Sequence, residues 1–185
     1  NAGEEFSDQY KSEQGVVFEF RYKPIFDQQS MFNGAIMVAN DVTDYTRVQE
    51  ELRQSRNQLE IILNGVADTV VAMGLDGRLM FANQAAYTRL FYPSSESMLD
   101  DKGFPDSIEF FDEQGKKLLG DSRPWIPALR GTSCSPTTVR YRKEGIPQDR
   151  WVVMQSTPVF DGSGKPQMQV TISHDVTELK KIQEE

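Results

Sequence analysis

The sequence predicts an α+β fold in which a five-stranded antiparallel sheet carries helices on one face and follows a long amphipathic linker helix. Three observations lead to this prediction. Strand patterns over residues 69–82 and 137–173 enclose a segment with helix signals. A heptad pattern of apolar residues runs from Tyr45 to Ile62. The chain also repeats part of itself.

The repeat aligns residues 17–51 with residues 151–185 without a gap, at an offset of 134, with nine of 35 positions identical. Its clearest part is Asp41-Val42-Thr43, which matches Asp175-Val176-Thr177. A self-match of this length indicates two copies of one structural unit, of which the first is cut and the second is complete. The predicted domains are the C-terminal strands of a truncated first copy (1–43), a coiled-coil linker helix (44–65), a complete second copy (66–177) and the start of an exit helix (178–185).

Composition narrows the classes of function. The net charge of −8 argues against nucleic acid as a partner, because phosphate binding needs clustered Lys and Arg. The single cysteine, Cys134, excludes a disulfide framework. No apolar run approaches the ~20 residues of a membrane helix. We therefore expect a cytoplasmic segment without direct membrane contact, while the parent protein could still be membrane-anchored.

The first copy reads as strands over residues 16–22 and 35–39, joined by a hairpin over residues 27–34. A further strand is expected over Glu5 to Lys11. After Thr43 the period becomes helical, and apolar residues recur at 3-4 spacing until Asn64-Gly65 ends the helix. The predicted seam consists of Tyr45, Val48, Leu52, Leu59 and Ile62, interrupted by Ser55. This stripe either forms a two-chain coiled coil or lies on its own domain.

The second copy contains five predicted strands and several short elements. The strands cover residues 69–73, 78–82, 137–142, 150–159 and 168–173. Asn83 can cap a helix over residues 84–91, residues 92–105 read as irregular, and a short helix is expected over residues 124–130. Residues 108–111 and 117–119 favour a small extra hairpin. The two early strands and the three late ones must share one sheet, because otherwise several edges would stay open.

Several motifs in this order of elements resemble those of a PAS domain. They are Asp76-Gly77, Phe81-Ala82-Asn83, Leu129-Arg130-Gly131, Pro158-Val159-Phe160-Asp161 and, above all, the doubled Asp-Val-Thr exit motif. The resemblance implies a five-stranded sheet that cups a pocket beneath its helices. It also implies a sensory or dimerisation role in a larger bacterial signalling protein, such as a sensor histidine kinase or a cyclic-di-nucleotide enzyme.

By this resemblance, Asp175 and Thr177 couple the last strand to the exit helix, and Asp41 and Thr43 do the same in the first copy. Arg150 or Arg142 is a possible counter-charge for Asp175. The simpler interpretation is that the acid and the hydroxyl cap a helix through local hydrogen bonds. The two interpretations are compatible, because a cap on a signalling helix is also its hinge.

A pocket under the sheet would be lined by Val71, Met73, Ile126, Val153 and Met154. These side chains would either bind a small apolar or aromatic molecule or simply fill the core. No cofactor or metal is predicted. The covalent-flavin motif of this family is absent, and the helix over residues 124–130 has no histidine for haem. Cys134 and the only histidine, His174, lack partners that would make a reactive or metal-binding group.

Two functions follow from these observations. The first is a signal-relay module that forms a homodimer and passes changes at the PAS core, through coiled-coil helices, to a downstream output domain. The alternative is a small-molecule carrier or cofactor-binding domain without a relay role. No catalytic motif is present, so this segment is not predicted to be an enzyme, although its parent could be one.

Overall fold

The computed structural model describes residues 6–184 of the 185-residue chain. These residues belong to two compact units, one ending at Leu59 and the other beginning at Glu60. None of the helices in residues 6–184 is both long enough and apolar enough to cross a bilayer.

The first unit is a three-stranded antiparallel sheet followed by a helix. The strands are β1 (Phe6–Lys11), β2 (Val17–Phe26) and β3 (Phe32–Asp41), in the order β1-β2-β3. The predicted strands are confirmed, β1 included, except that Glu5 lies outside the described residues. Every second residue of β2 lies on the same face of the sheet, and on one face these residues are Phe18, Phe20 and Tyr22. The ring centroids of Phe18 and Phe20 are 6.2 Å apart, and those of Phe20 and Tyr22 are 6.4 Å apart.

Helix α1 (Thr43–Gly65) has 23 residues and extends about 34 Å at 1.5 Å per residue. It lies where the heptad pattern predicts and ends at the predicted Asn64-Gly65. None of its residues is buried. The predicted seam residues Tyr45, Val48, Leu52, Leu59 and Ile62 are each between 56% and 65% exposed in the single chain.

The second unit is built on a seven-stranded antiparallel sheet. Its strands are β4 (Thr69–Gly74), β5 (Leu79–Ala82), β6 (Ile108–Phe111), β7 (Lys117–Leu118), β8 (Thr137–Lys143), β9 (Arg150–Phe160) and β10 (Pro166–Asp175). The order is β5-β4-β10-β9-β8-β6-β7. The five predicted strands are therefore adjacent in one sheet. The predicted extra hairpin adds two strands at its edge, because Ile108 to Phe111 pair with Lys143 to Arg140 of β8.

Short helices cover one face of this sheet. They are α2 (Gln84–Arg89), α3 (Ser95–Leu99), a 3₁₀ turn (Gly120–Ser122) and α4 (Ile126–Leu129), and α5 (Thr177–Glu184) leaves the last strand. The fully buried Ala86, Met98 and Ala128 fasten α2, α3 and α4 to the core.

Two predictions about these helices were wrong. Residues 92–105 are not wholly irregular, because the Ser94 hydroxyl and Ser97 form a reciprocal cap that starts α3. The short helix covers only Ile126–Leu129 rather than residues 124–130. Residues 124 and 125 form a turn in which Ile126 N–H donates to the Arg123 carbonyl, at 3.2 Å, and the bond between residues four apart that marks the helix runs from Leu129 N–H to the Trp125 carbonyl.

The sequence repeat is also a repeat of hydrogen bonds within the two sheets. In the β2–β3 hairpin, Asp27 N–H donates to the Met31 carbonyl at 2.9 Å. In the β9–β10 hairpin, Asp161 N–H donates to the Lys165 carbonyl at 2.8 Å, which is the same bond at the offset of 134. Strands β1-β2-β3 are thus the counterpart of β8-β9-β10.

Candidate functional site

A cavity of about 60 Å³ lies between the inner face of the second sheet and the helices that cover it. Most of its wall is apolar and comes from β4, β6, β9, α2 and the segment around α4. The main apolar lining residues are Val71, Met73, Leu90, Ile108, Phe110, Trp125, Val152 and Met154. The Phe110 and Trp125 rings meet edge to face, with centroids 4.9 Å apart.

Three of the five predicted pocket residues, Val71, Met73 and Met154, lie on this wall. Val153 does not line the cavity, so its predicted place in the pocket is wrong. Successive side chains of a strand point to opposite faces, so Val152 shares the inner face with Met154 while Val153 lies on the outer one. Ile126 packs against the core but does not line the cavity, where its neighbour Trp125 contributes instead.

The cavity also has a polar side, which the predicted set of apolar pocket residues does not include. It consists of Thr69, Arg89, Tyr141, Gln169, Thr171 and Ser173. Gln169 is 1% exposed, and its Oε1 accepts the Thr171 hydroxyl at 2.7 Å. Burial raises the pKa of Tyr141, so its phenol stays protonated and remains a hydrogen-bond donor at neutral pH.

The last strand joins the exit helix through bonds to the start of β9. Trp151 N–H donates to Thr177 Oγ1 at 3.0 Å, and Val176 N–H donates to the Trp151 carbonyl at 2.9 Å. Thr177 N–H donates to Asp175 Oδ1 at 2.9 Å. Together these bonds hold the first turn of α5 against the start of β9. We call this set of contacts the exit joint.

An ion pair completes the exit joint. Arg150 Nη1 lies 3.3 Å from Asp175 Oδ2, whereas Arg142 pairs with Asp149. Of the two predicted counter-charges, the structure therefore selects Arg150. Burial raises the pKa of Asp175, but the hydrogen bonds from Thr177 and the nearby Arg150 and Arg89 charges outweigh it, so the net pKa lies below its ordinary value.

The first unit has the same joint at Thr43. Val17 N–H donates to Thr43 Oγ1 at 2.9 Å, Val42 N–H donates to the Val17 carbonyl at 2.9 Å, and Thr43 N–H donates to Asp41 Oδ1 at 3.0 Å. The Thr43 hydrogen bonds lower the pKa of Asp41. The ion pair has no counterpart, because Val16 occupies the position equivalent to Arg150.

Asn83 joins three elements of the second unit, whereas the sequence indicates only its role as a helix cap. Its side chain is fully buried, and its Oδ1 accepts from Val70 N–H and Ala86 N–H, each at 3.0 Å. Its Nδ2 donates to the carbonyls of Leu63 and Asp68, at 3.0 and 2.9 Å. One side chain thus connects the end of α1, strand β4 and the start of α2.

Neither His174 nor Cys134, for which the sequence predicts no reactive or metal-binding role, lines the cavity. His174 is exposed, with Nδ1 2.6 Å from Asp68 Oδ1. Cys134 is half-buried in a loop, and its Sγ lies 3.7 Å from the Thr132 carbonyl. Among residues 6–184, no three His, Cys, Asp or Glu side chains are grouped as a metal site would require.

The family model described as "PAS fold" matches residues 63–181. No curated protein sequence matches the chain significantly. The PAS domain of an HTR-like protein from Haloarcula marismortui has a TM-score of 0.50 at 18% identity, covering 70% of this chain and 98% of that chain. The E. coli DhaR(N)–DhaL complex has a TM-score of 0.50 at 14% identity, covering 91% of this chain and 60% of that chain.

A PAS domain from Colwellia psychrerythraea has a TM-score of 0.49 at 16% identity, covering 66% of this chain and 97% of that chain. At these identities the similar structures bear on the fold alone. The matched segment begins near the end of α1, includes the whole cavity and continues into α5. Through residues 63–181, this chain belongs to the PAS fold family.

Proposed function

We propose that this chain is a non-enzymatic sensory and signal-relay module with tandem PAS units, belonging to a larger bacterial signalling protein. Residues 66–177 form the sensing PAS domain, and residues 1–43 are the C-terminal strands of a preceding one. A sensor histidine kinase or a cyclic-di-nucleotide enzyme is the expected output downstream of residues 178–185. The doubled joint at Thr43 and Thr177 supports the tandem arrangement.

The observation that carries the relay proposal is the direct connection between cavity wall and exit helix. Val152 lines the cavity. The preceding residue, Trp151, donates its N–H to the Thr177 hydroxyl oxygen, and its carbonyl accepts the Val176 N–H. On β10, Ser173 lines the cavity two residues before Asp175. A ligand that displaces either strand must therefore change the exit joint, and its differential affinity for the two states biases α5.

A matched pair of substitutions on β9 tests the relay without any added ligand. Val152→Ala removes two methyl groups from the cavity wall, whereas Val153→Ala makes the same change on the outer face. We expect Val152→Ala to speed amide hydrogen exchange in residues 178–184 more than in β4, and Val153→Ala to leave α5 unchanged. Equal effects of the two variants on α5 would exclude a path from the cavity to the helix.

Dimerisation through α1 is the second part of the proposal. An exposed apolar stripe at 3-4 spacing is the pattern that two-chain coiled coils bury. Leu52→Lys places a positive charge in the seam. Asn57→Lys, five residues later in α1, places the same charge on the opposite face of the helix. Sedimentation at micromolar concentration should show a dimer for the wild type and Asn57→Lys and a monomer for Leu52→Lys. A wild-type monomer would refute this part.

The carrier function remains the alternative, because the cavity has polar groups that a simple core does not need. A carrier would retain a small molecule through purification, and native mass spectrometry would detect the added mass. Its α5 would exchange at the same rate with and without that molecule. Ligand-dependent exchange in α5 distinguishes the relay module from the carrier.

A further inference from the structure

We infer that the cavity of the second unit accepts a small organic monocarboxylate with an apolar tail, held by the guanidinium of Arg89. This inference rests on the proposed sensory function and names the chemical class of the molecule sensed. It starts from one side chain at the end of α2, whose buried Nη1 has no hydrogen-bond partner among residues 6–184.

Arg89 differs from the other arginines with buried nitrogens. In the described residues, a buried side-chain nitrogen without a hydrogen-bond partner occurs in four arginines: Arg89, Arg123, Arg140 and Arg150. The last three are each held by a carboxylate, that of Asp106, Asp149 or Asp175. Within the described part of the chain, Arg89 has no such ion pair, although its Nη1 is buried and the residue lines the cavity. Arg89 as a whole is half-buried, but a buried guanidinium nitrogen without a partner is costly, and a bound anion would remove that cost.

The local charge balance agrees with an anionic ligand. The Arg89 and Arg150 charges both act on Asp175. Asp175 already accepts from Thr177 and pairs with Arg150. Because Arg150 and Asp175 form an ion pair, the Arg89 charge on the polar side of the cavity has no paired carboxylate among the described residues. A monoanion balances this charge, whereas a dianion such as phosphate would bring an uncompensated negative charge into a mainly apolar site.

The remaining wall defines the rest of the molecule. Tyr141, Gln169 and Ser173 supply neutral hydrogen-bonding groups on the wall that also includes Arg89. Gln169 keeps its amide N–H groups as donors because its Oε1 accepts from the Thr171 hydroxyl. The other side is aliphatic and aromatic. A cavity of about 60 Å³ holds roughly four to six water-sized groups. A short-chain fatty acid, with its carboxylate at Arg89 and its alkyl chain toward the apolar side, satisfies both ends.

The test uses the full chain with butyrate as the probe and butyramide as its uncharged analogue of the same shape. Binding is followed by backbone amide NMR shifts of α2, β9 and β10. One charge-assisted hydrogen bond should give butyrate about a ten- to hundredfold advantage over butyramide. Arg89→Gln should abolish this preference, and Arg89→Lys should retain part of it. Arg78→Gln, which removes an exposed arginine from a hairpin turn, should behave as wild type.

Equal affinity for butyrate and butyramide would overturn the inference, and so would a preference that survives in Arg89→Gln. Either result would leave the proposed sensory function standing, because the cavity would still accept a small molecule. Binding of neither probe would also overturn the inference. The Val152→Ala and Val153→Ala comparison needs no added molecule, so it tests the relay separately. If Arg89→Gln lost its NMR dispersion, the lysine variant and the comparison of the two probes in the wild type would decide.

Discussion

The exit joint leads to a sharp prediction about Thr177, which is 3% exposed and accepts the Trp151 N–H at 3.0 Å. Thr177→Val keeps the branched shape and removes the acceptor. The Trp151 N–H would then be left without a partner in a site that water reaches poorly. An unsatisfied buried donor costs about 1–3 kcal/mol, so we expect the free energy of unfolding of the second unit to fall by about that amount.

Tryptophan fluorescence during urea unfolding measures this change selectively. The chain has only two tryptophans, Trp125 and Trp151, and both lie in the second unit. Thr177→Ser keeps the hydroxyl and should lose less than about 1 kcal/mol, the value of one buried methyl group.

The matched control for this substitution is Thr157→Val, which makes the same change at an exposed position of β9. A surface substitution of this kind should stay within about 0.5 kcal/mol of wild type. The reasoning fails if Thr177→Val and Thr157→Val have the same stability. It also fails if Thr177→Ser loses as much as Thr177→Val, because the methyl group and not the hydroxyl would then be the stabilising part.

Three further predictions use the same fluorescence assay. The pKa of Asp175 is lowered on folding, so its stabilisation is present above the unfolded carboxyl pKa and is lost as the pH falls through the folded one. The stability difference between wild type and Asp175→Asn should therefore be constant near pH 7 and shrink below about pH 4. Asn83→Ala breaks four hydrogen bonds of a fully buried side chain and should cost about 3 kcal/mol; a loss under 1 kcal/mol would contradict its role. Gly131→Ala and Gly145→Ala share the same positive φ, but only a Cβ at Gly131 meets another atom, Pro166 Cγ at 3.0 Å. Gly131→Ala should therefore lower the free energy of unfolding by about 1 kcal/mol or more beyond the effect of Gly145→Ala. Equal losses in the two variants would show that Pro166 can move aside without a loss of stability.

The features that the sequence predicted well are those that depend on neighbours in the chain. Asp175 and Thr177 bond to each other across two residues, and the same pair recurs at Asp41 and Thr43, so a short motif was sufficient to locate both joints. The counter-charge of Asp175, in contrast, comes from a residue that is distant in the sequence. Arg150 and Arg142 both lie on strands near Asp175, and only the pairing of Arg142 with Asp149 decided between them.

The errors have equally physical causes. The predicted pocket includes both Val153 and Met154, although adjacent residues of a strand face opposite sides of the sheet. The two-residue period of a strand therefore favours Val152 as the partner of Met154. Helix α3 is five residues long and gave no periodic signal, although Ser94 three residues before Ser97 is a cap-like spacing. The place of Arg89 on the cavity wall is not predictable from the sequence, because an arginine at the end of a short helix usually faces water. The burial of its Nη1 depends on the long-range packing of α2 on the sheet.

The agreement between the joints at Thr43 and Thr177 has a consequence for how such proteins are assembled and engineered. The hydrogen bonds shared by the two joints involve only one residue near the start of a strand, Val17 or Trp151, and the three residues Asp-Val-Thr. The two threonines are therefore equivalent splice points. A fusion that replaces the segment after one threonine with the segment after the other should preserve the hydrogen bonds between strand and helix, so we expect the two segments to be exchangeable at this point.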